Sequence, residues 1–272
     1  MSRLAACLHD LTSRGEKGLI AYLMAGDPSP DATPLLVEAV ACAGADIVEL
    51  GIPFSDPLAD GPVIQAAGQR ALRSGTTVAG VLSLVARVRE RTPVPLVLMT
   101  YYNPMLRYGP DRFVADAARA GADGLIVPDL PVEEAGGLRD LADAADLALV
   151  PLVAPTTPEE RIKAIAACAR GFIYCVSLTG VTGVRDRLSP EVAEFTARVR
   201  RHTTLPVALG FGISKPEHVA AVAPLVDAVV VGSALVKMVG ENTGAPEVLA
   251  DRLAAFVRAL KEPLRDHAAT TP

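Results

Sequence analysis

Residues 44–50 read GADIVEL, and residues 121–127 read GADGLIV. In both stretches an alanine-rich helical segment ends at a glycine, and a short apolar run follows within three residues. Glycine at that point ends the helix and lets the chain turn into a sheet. Because the apolar residues are nearly continuous, the runs predict strands that are buried on both faces of a parallel sheet. The two stretches therefore indicate repeated β/α units.

The same pattern extends in both directions along the chain. Apolar runs predict eight strands, at residues 19–24, 46–50, 95–99, 124–127, 147–150, 172–176, 206–209 and 228–231. Helical segments lie between them, at residues 30–43, 77–91, 112–120, 133–144, 158–169 and 190–202. Strict alternation predicts an α/β fold in which a single (β/α)8 TIM barrel closes on itself. An open doubly wound sheet is the rival, but residues 24–28 after the first strand (MAGDP) lack its GxGxxG turn.

The chain length fits one such barrel. It has 272 residues, and a TIM barrel typically takes about 250. No interdomain linker interrupts the pattern, so residues 1–272 are predicted to form one domain, with the barrel at about residues 18–262. An extra N-terminal helix, Arg3–Ser13, precedes the first strand and is expected to plug the barrel floor.

Composition excludes several classes of function. The net charge is −5 with both signs interspersed and no basic block, which argues against nucleic acid as a partner. No apolar run approaches the length that spans a bilayer, and residues 1–17 do not form a signal peptide. The cysteines lack paired spacing and are interpreted as buried free thiols: Cys7, Cys42, Cys168 and Cys175. These features predict a cytoplasmic protein without a membrane partner.

The loop after the second strand carries the candidate acid/base groups. Residues 49–62 read ELGIPFSDPLADGP. Burying an ionised carboxylate costs several kcal/mol, so Glu49 in an apolar strand is either paired with a neighbour or a general acid/base with a raised pKa. Asp56 and Asp60 are further candidates on the proline-stiffened loop. A purely turn-forming role suits Asp56 better, because it precedes Pro57.

Three glycine-rich turns follow the sixth, seventh and eighth strands. They read SLTGVTG at residues 177–183, GFGIS at 210–214 and GSA at 232–234. Glycines let backbone N–H groups approach a phosphate, and a helix starting near Ser233 would direct its positive end there. Each turn alone fits a plain tight turn. Together, at strand ends where such barrels bind phosphate, they predict a phosphate site.

Other chemistries lack their residues in this sequence. A Schiff-base aldolase needs a lysine at a strand end, and none of the lysines lies in a predicted strand. A metal aldolase needs clustered ligands, but the histidines lie in helices, before a strand or in the tail. The sequence therefore predicts a phosphate substrate and carboxylate acid/base chemistry, with no metal and no covalent lysine.

These motifs together resemble the tryptophan synthase alpha subunit family. The resemblance rests mainly on residues 49–62, with further matches at residues 21–28, 127–131, 154–157, 180–183, 210–214 and 231–234. It implies a lyase that splits indole-3-glycerol phosphate into indole and glyceraldehyde 3-phosphate during tryptophan biosynthesis. It also implies an alpha2beta2 heterotetramer, in which indole passes to a pyridoxal-phosphate beta subunit, and no cofactor in this chain.

The resemblance also implies residue roles. Glu49 would protonate indole C3 and then take the glycerol hydroxyl proton, while Asp60 would bind the indole N–H. A phosphate cradle would contain Gly183, Gly212, Gly232 and Ser233. Residues lining the indole pocket or supporting Asp60 would be Tyr22, Tyr101, Tyr174, Thr182 and Phe211. Two positions depart from many relatives, which carry Phe where Tyr22 stands and in some cases a basic residue where Leu178 stands.

The resemblance implies a docking face, and the sequence itself suggests a lid. Residues 179–188 contain glycines and charged turns, and we hypothesise that they close over substrate through contact of Thr182 with Asp60. The loop after the second strand and residues 103–105 and 129–131 would face the beta subunit.

Three other functions stay open at this point. They are a stand-alone lyase that releases free indole, another phosphate-binding barrel such as a phosphosugar isomerase, and a catalytically inactive scaffold. The last has no use for Glu49 and Asp60.

Overall fold

The computed structural model describes residues 2–176, 190–210 and 212–265. Strands β1–β9 span Gly18–Met24, Ile47–Gly51, Leu96–Met99, Gly124–Ile126, Ala148–Leu149, Leu152–Val153, Ile173–Val176, Val207–Gly210 and Ala228–Val231. Helices α1–α12 span Arg3–Ser13, Thr33–Cys42, Pro62–Arg73, Val78–Arg89, Tyr102–Tyr108, Pro110–Ala120, Gly136–Ala144, Glu159–Cys168, Pro190–Arg200, Pro216–Val222, Ser233–Gly240 and Pro246–Arg265. Short 3₁₀ turns occupy Pro30–Ala32 and Ala223–Leu225.

All the strands are parallel and form one curled sheet in the order β5-β4-β3-β2-β1-β9-β8-β7-β6. Its two ends, β5 and β6, are separated only by Val150 and Pro151. The Val150 N–H donates to Leu125 on β4, and the Pro151 carbonyl accepts from Tyr174 on β7. Residues 148–153 therefore act as one barrel strand that touches both neighbours. This closure confirms the predicted TIM-barrel fold.

Most predicted elements are confirmed within a few residues, and two differ. The predicted fifth strand, residues 147–150, extends to Val153 but is broken at Pro151, which has no N–H to donate. The helix predicted from residue 133 begins at Gly136, because the Glu134 N–H closes a turn onto the Pro131 carbonyl. Helices α3, α5, α10 and α12 were not among the predicted segments. The prediction of one domain over residues 1–272 extends beyond the described residues and stays a prediction.

The N-terminal helix plugs the floor of the barrel, as predicted. Leu4 and Leu8 of α1 are buried against inward-facing residues of the strands. The inward-facing cluster contains Ile20, Ile47, Val97, Ile126, Ala148, Val150, Phe172, Ala208, Ala228 and Val230. Outward-facing strand residues pack against the helices in a second, larger cluster. The interior below the strand ends is therefore solid, and only the C-terminal end of the barrel is left for a site.

Three aspartates close the N-terminal end of the barrel in the same way. We call Asp46, Asp123 and Asp227 the floor carboxylates. Each accepts a backbone N–H from the start of the neighbouring strand, at 2.7, 2.9 and 2.8 Å respectively. Asp46 and Asp123 are the aspartates of the two GAD stretches, which follow the ends of α2 and α6. A carboxylate that accepts such bonds anchors the first turn into the sheet.

Each floor carboxylate is also paired with a cation. Lys261 lies 2.7 Å from Asp46, and Arg200 lies 2.9 Å from Asp227. Asp123 binds both Arg89 of α4 and Arg3 of α1, each at 2.9 Å. These pairs connect the floor plug and the outer helices to the strands.

Two expectations on the surface can be compared with the structure. Cys175 is buried and the thiols of Cys7 and Cys168 are half-buried, but Cys42 is exposed, so the prediction of buried thiols is wrong there. Cys42 lies on the face of α2 opposite its buried residues Leu36, Val37 and Val40. Among the described residues, no helix is both long and apolar enough to cross a membrane.

Candidate active site

Glu49 lies on β2 inside the barrel, near the C-terminal strand ends. It is 2% exposed and pairs in register with Tyr22 on β1 and Val97 on β3. Burial, and then the nearby Asp60 carboxylate, raise the pKa of Glu49 to about 8. Among the described residues no cation opposes that rise. Glu49 is therefore a carboxylic acid that keeps its proton at neutral pH.

Asp60 lies on the loop that joins β2 to α3. The Tyr101 hydroxyl accepts the N–H of Ala59 at 2.9 Å, and Gln65 of α3 donates to the Asp60 carbonyl at 2.9 Å. Burial raises the pKa of the Asp60 carboxyl to about 6, although hydrogen bonding to Tyr101 lowers it. Asp56, by contrast, is exposed and accepts a hydrogen bond from Ser55. Its turn-forming role is the one that fits.

A cavity of about 160 Å³ lies between the two carboxyl groups at the C-terminal end of the strands. Most of the predicted site residues line it together: Tyr22, Glu49, Asp60, Tyr174, Gly212, Gly232 and Ser233. Tyr101 lines a small adjoining recess with Tyr22, Asp60 and Phe54. Thr182, Gly183, Phe211, Leu178 and the predicted lid lie outside the described residues.

Two tyrosines reach the cavity over glycines that the sequence analysis did not single out. A Cβ atom added to Gly51 would lie 2.1 Å from the Tyr22 hydroxyl, and one added to Gly210 would lie 2.6 Å from the Tyr174 hydroxyl. In each case the glycine is two residues beyond the register partner of the tyrosine on the next strand. Because this offset depends on the register between neighbouring strands, no local sequence signal marks either pair.

The two tyrosines are held as neutral hydrogen-bond donors. Burial and the nearby carboxylates Glu49 and Asp60 raise the pKa of Tyr22 and of Tyr174 well above the ordinary value. Both hydroxyls therefore keep their protons wherever the carboxyl groups titrate.

The opposite wall of the cavity is built from backbone. Gly212 has φ +71°, a left-handed conformation that glycine adopts without strain. Gly232 is the N-cap of α11, whose first residue is Ser233. A Cβ added to Gly232 would lie 3.3 Å from the Cβ of Tyr22, so the turn is tightly packed. A helix N-terminus beside bare glycine backbone presents N–H groups and a positive dipole end to an anion.

Among the described residues, no lysine lines the cavity. Within the described parts of the chain, no group of three or more His, Cys, Asp or Glu residues could hold a metal ion. The fold and the site together define a β/α-barrel enzyme with two carboxyl groups of separated pKa values facing a wall of glycine backbone and a helix N-terminus.

Comparison with known proteins gives the particular family. The family model described as tryptophan synthase alpha chain matches residues 8–265. The alpha chain of Carboxydothermus hydrogenoformans is 50% identical over 264 residues, covering 96% of this chain and 99% of the relative. That of Solibacter usitatus is 52% identical over 261 residues, covering 96% and 97%. The chain belongs to the tryptophan synthase alpha chain family.

Solved structures agree with this assignment. Tryptophan synthase subunit alpha from Legionella pneumophila str. Paris superposes with a TM-score of 0.89 at 37% identity, covering 97% of this chain and 98% of that one. Tryptophan synthase from Mycobacterium tuberculosis superposes with a TM-score of 0.88 at 37% identity, with the same coverage. Members of the family are lyases that cleave indole-3-glycerol phosphate to indole and glyceraldehyde 3-phosphate, and membership implies a beta-chain partner.

Proposed function

We propose that this chain cleaves indole-3-glycerol phosphate to indole and glyceraldehyde 3-phosphate. Glu49 is the proton donor and acceptor, and Asp60 binds the indole nitrogen. The observation that supports it is that one cavity joins two carboxyl groups whose pKa values are about 8 and about 6. Near neutral pH the first is protonated and the second is ionised. Two carboxyl groups of separated pKa supply an acid and a base from one site.

The reaction begins at the ring. The protonated Glu49 carboxyl gives its proton to indole C3, and the positive charge that develops at the ring nitrogen is stabilised by the Asp60 carboxylate. C3 is then tetrahedral, so the bond from C3 to the glycerol carbon can break. Its electron pair returns to the ring and neutralises the nitrogen. The adjacent hydroxyl becomes the aldehyde carbonyl, and its proton goes back to Glu49. The ring serves as the electron sink, so this chain needs no cofactor of its own.

The backbone wall is assigned to the substrate phosphate. The N–H groups of Gly232 and Ser233 at the start of α11 would hold it, together with Gly212 after β8 and with Gly183. The indole ring would lie on the side of Tyr22, Tyr101 and Tyr174, with Phe211 as a further wall. Thr182 would position Asp60 when the predicted lid closes. Binding the phosphate on one side and the ring on the other places the scissile bond beside Glu49.

The partner is assigned to the face that carries the loop after β2. Leu58 at the tip of that loop is 92% exposed, so its apolar side chain is free to contact a partner. Residues 103–105 and 129–131 lie on the same end of the barrel. We assign this face to a beta subunit in an alpha2beta2 tetramer, with pyridoxal phosphate in that partner. The chain is proposed to act as one domain, residues 1–272, in the cytoplasm.

The test is indole release from indole-3-glycerol phosphate by the purified chain, with a metal chelator present, alone and with a beta subunit. We expect slow release alone and much faster release with the partner. Equally fast release in both cases would favour a stand-alone lyase. No release in either case would contradict the catalytic assignment.

A further inference from the structure

The loop after β1 carries a buried carboxylate, paired with a half-buried arginine, that the proposed reaction does not use. Asp27 is 3% exposed. Its two oxygens accept hydrogen bonds from Arg70 of α3, from Nε at 2.8 Å and from Nη2 at 2.7 Å. A bidentate pair of this kind fixes both the separation and the relative orientation of its partners. Asp27 therefore holds Arg70, and with it α3, in one position.

The backbone of the loop that carries Asp27 is itself held in place. The Gly26 N–H donates to the Thr33 hydroxyl at 2.9 Å, and the Ser74 hydroxyl donates to the Gly26 carbonyl at 3.1 Å. Gly26 has φ +84°, and a Cβ there would lie 1.9 Å from the Thr76 hydroxyl, so no side chain fits. Asp27 thus projects from a loop held at both its N–H and its carbonyl.

Helix α3 connects the pair to Asp60. It begins at Pro62, two residues after Asp60, and its first turn carries Gln65, which donates to the Asp60 carbonyl at 2.9 Å. Ile64 on the same turn lines the cavity. Because a helix transmits displacement along its axis, the position of Arg70 sets where that first turn and Asp60 lie.

The same guanidinium also touches the helix on the phosphate side. Gly240 is the last residue of α11, and a Cβ added to it would lie 2.9 Å from Arg70 Nη2. The first residue of α11, Ser233, lines the cavity. Arg70 therefore lies between the helix that follows Asp60 and the helix that starts at the phosphate wall.

We propose that Asp27 and Arg70 form a positioning pair, which sets the distance between Asp60 and the N-terminus of α11 across the substrate. The inference rests on the proposed roles of Asp60 and α11. Neither member of the pair touches the reacting atoms. A displacement on the order of 1 Å at a reacting group can cost about 10²-fold in rate, so loss of the pair acts on catalysis through geometry.

The experiment compares Asp27→Asn, Arg70→Gln, their double variant and Gly240→Ala with the unaltered chain. Asp27→Asn keeps the shape of the side chain. Gly240→Ala keeps both members of the pair but crowds the guanidinium of Arg70, the end of a flexible side chain, so it is expected to fold with a displaced pair. Asp123→Asn is the matched control, because it removes a similarly buried carboxylate from Arg89 at the other end of the barrel. For each we would measure the thermal midpoint, kcat and KM, and calorimetric affinity for an uncleavable indolylpropyl phosphate.

We expect kcat/KM per folded molecule to fall about 10–100-fold in each single variant of the pair. The double variant should lose no more than the worse single variant, because the two residues act as a unit. Affinity for the uncleavable phosphate should fall in the same variants. Gly240→Ala should lower both kcat/KM and affinity, by smaller factors. Asp123→Asn should lower the thermal midpoint and leave kcat and KM unchanged.

Lower thermal midpoints with unaltered kcat, KM and affinity in the variants of the pair would overturn the inference, since only stability would then depend on it. Additive losses in the double variant would also overturn it. If the unaltered chain binds the analogue but cleaves no substrate, the proposed reaction is contradicted and the positioning role of the pair is not. The positioning pair is then judged by analogue affinity, which must still fall in Asp27→Asn and Arg70→Gln.

Discussion

The carboxylates at the two ends of the barrel have the same chemistry and opposite surroundings. Strand β2 shows both within three residues. Asp46, just before it, accepts a backbone N–H and pairs with Lys261 at 2.7 Å. Glu49, near its other end, faces a second carboxyl group, and burial raises its pKa to about 8. A paired carboxylate can stay charged in the interior, whereas an unpaired one is driven to hold a proton.

Carboxylates that stabilise the fold lie at the N-terminal end of the barrel, and the proposed catalytic carboxyl groups lie at the C-terminal end. The floor carboxylates tie helices and strands together with charges that are compensated on the spot. No cation among the described residues compensates Glu49 or Asp60, which disfavours the folded state but prepares a proton donor beside a base. Substitutions at the two ends should therefore change different measurements.

The largest effect is expected at Glu49 and Asp60. Glu49→Gln and Asp60→Asn should each lower the rate of indole release by about 10²–10⁴-fold or more, the contribution of a positioned acid or base. Glutamine cannot transfer the proton to C3, and asparagine cannot carry the charge that offsets the ring nitrogen. Both variants should still bind an uncleavable indolylpropyl phosphate in calorimetry. An unchanged rate in Asp60→Asn would make its role structural and weaken the contrast with Asp123.

The floor should give the reverse pattern. Asp123→Asn leaves Arg89 and Arg3 without their carboxylate, so the free energy of unfolding should fall by about 1.5–3 kcal/mol, the range for buried hydrogen bonds to charged groups. Denaturant unfolding measures this, and kcat and KM should not change. Asp31→Asn is the control, because it breaks an exposed pair with Arg87 and should have little effect. A fall in kcat in Asp123→Asn would end the separation of the two ends.

A smaller effect concerns the pH dependence of stability. In the folded chain the pKa of Glu49 is about 8, above its ordinary value of 4.5. The native state therefore holds a proton that the unfolded chain has released, and this group makes stability fall as pH rises from about 4.5 to about 8. Glu49→Gln removes that dependence. Its thermal midpoint relative to the unaltered chain should rise between pH 5 and pH 8, and parallel curves would show that Glu49 is not buried as an acid.

The sequence predicts the barrel well because short local stretches of residues show which segments are buried strands. The GAD stretches mark a helix end, a floor carboxylate and a strand start within a few residues, and Leu4 and Leu8 already show the apolar face of the plug. Cavity residues at strand ends could likewise be placed from the topology. The break at Pro151 was missed, because pairing with β4 on one side and β7 on the other depends on barrel closure.

Contacts between distant segments were also missed. The fit of Tyr22 over Gly51 depends on the register between β1 and β2. The pair of Asp27 with Arg70 joins residues 43 positions apart, and no local pattern indicates it. Local sequence therefore identifies which carboxyl groups are candidates, and tertiary contacts decide which of them are neutralised.

The smallest expected effect is a shift in the pH profile when Tyr101 is changed to Phe. Asp60 must be ionised and Glu49 protonated, so kcat/KM should rise through about pH 6 and fall through about pH 8. These limbs belong to the coupled pair. Hydrogen bonding to Tyr101 lowers the pKa of Asp60. Tyr101→Phe should therefore move the acidic limb to higher pH and narrow the bell, because Asp60 loses a donor that favours its charged form.

The matched control for Tyr101→Phe is Tyr108→Phe. Tyr108 also donates to a carboxylate, Asp116, at 2.7 Å, but neither residue lines the cavity. Removing that hydroxyl should leave the profile of the isolated chain unchanged. A Tyr101→Phe profile that coincides with both would mean that Tyr101 holds the loop through Ala59 alone and does not tune Asp60. Burial would then be the main cause of the pKa values of Glu49 and Asp60. Their contrast with the floor carboxylates would rest on the lack of a neighbouring cation among the described residues rather than on the Tyr101 hydroxyl.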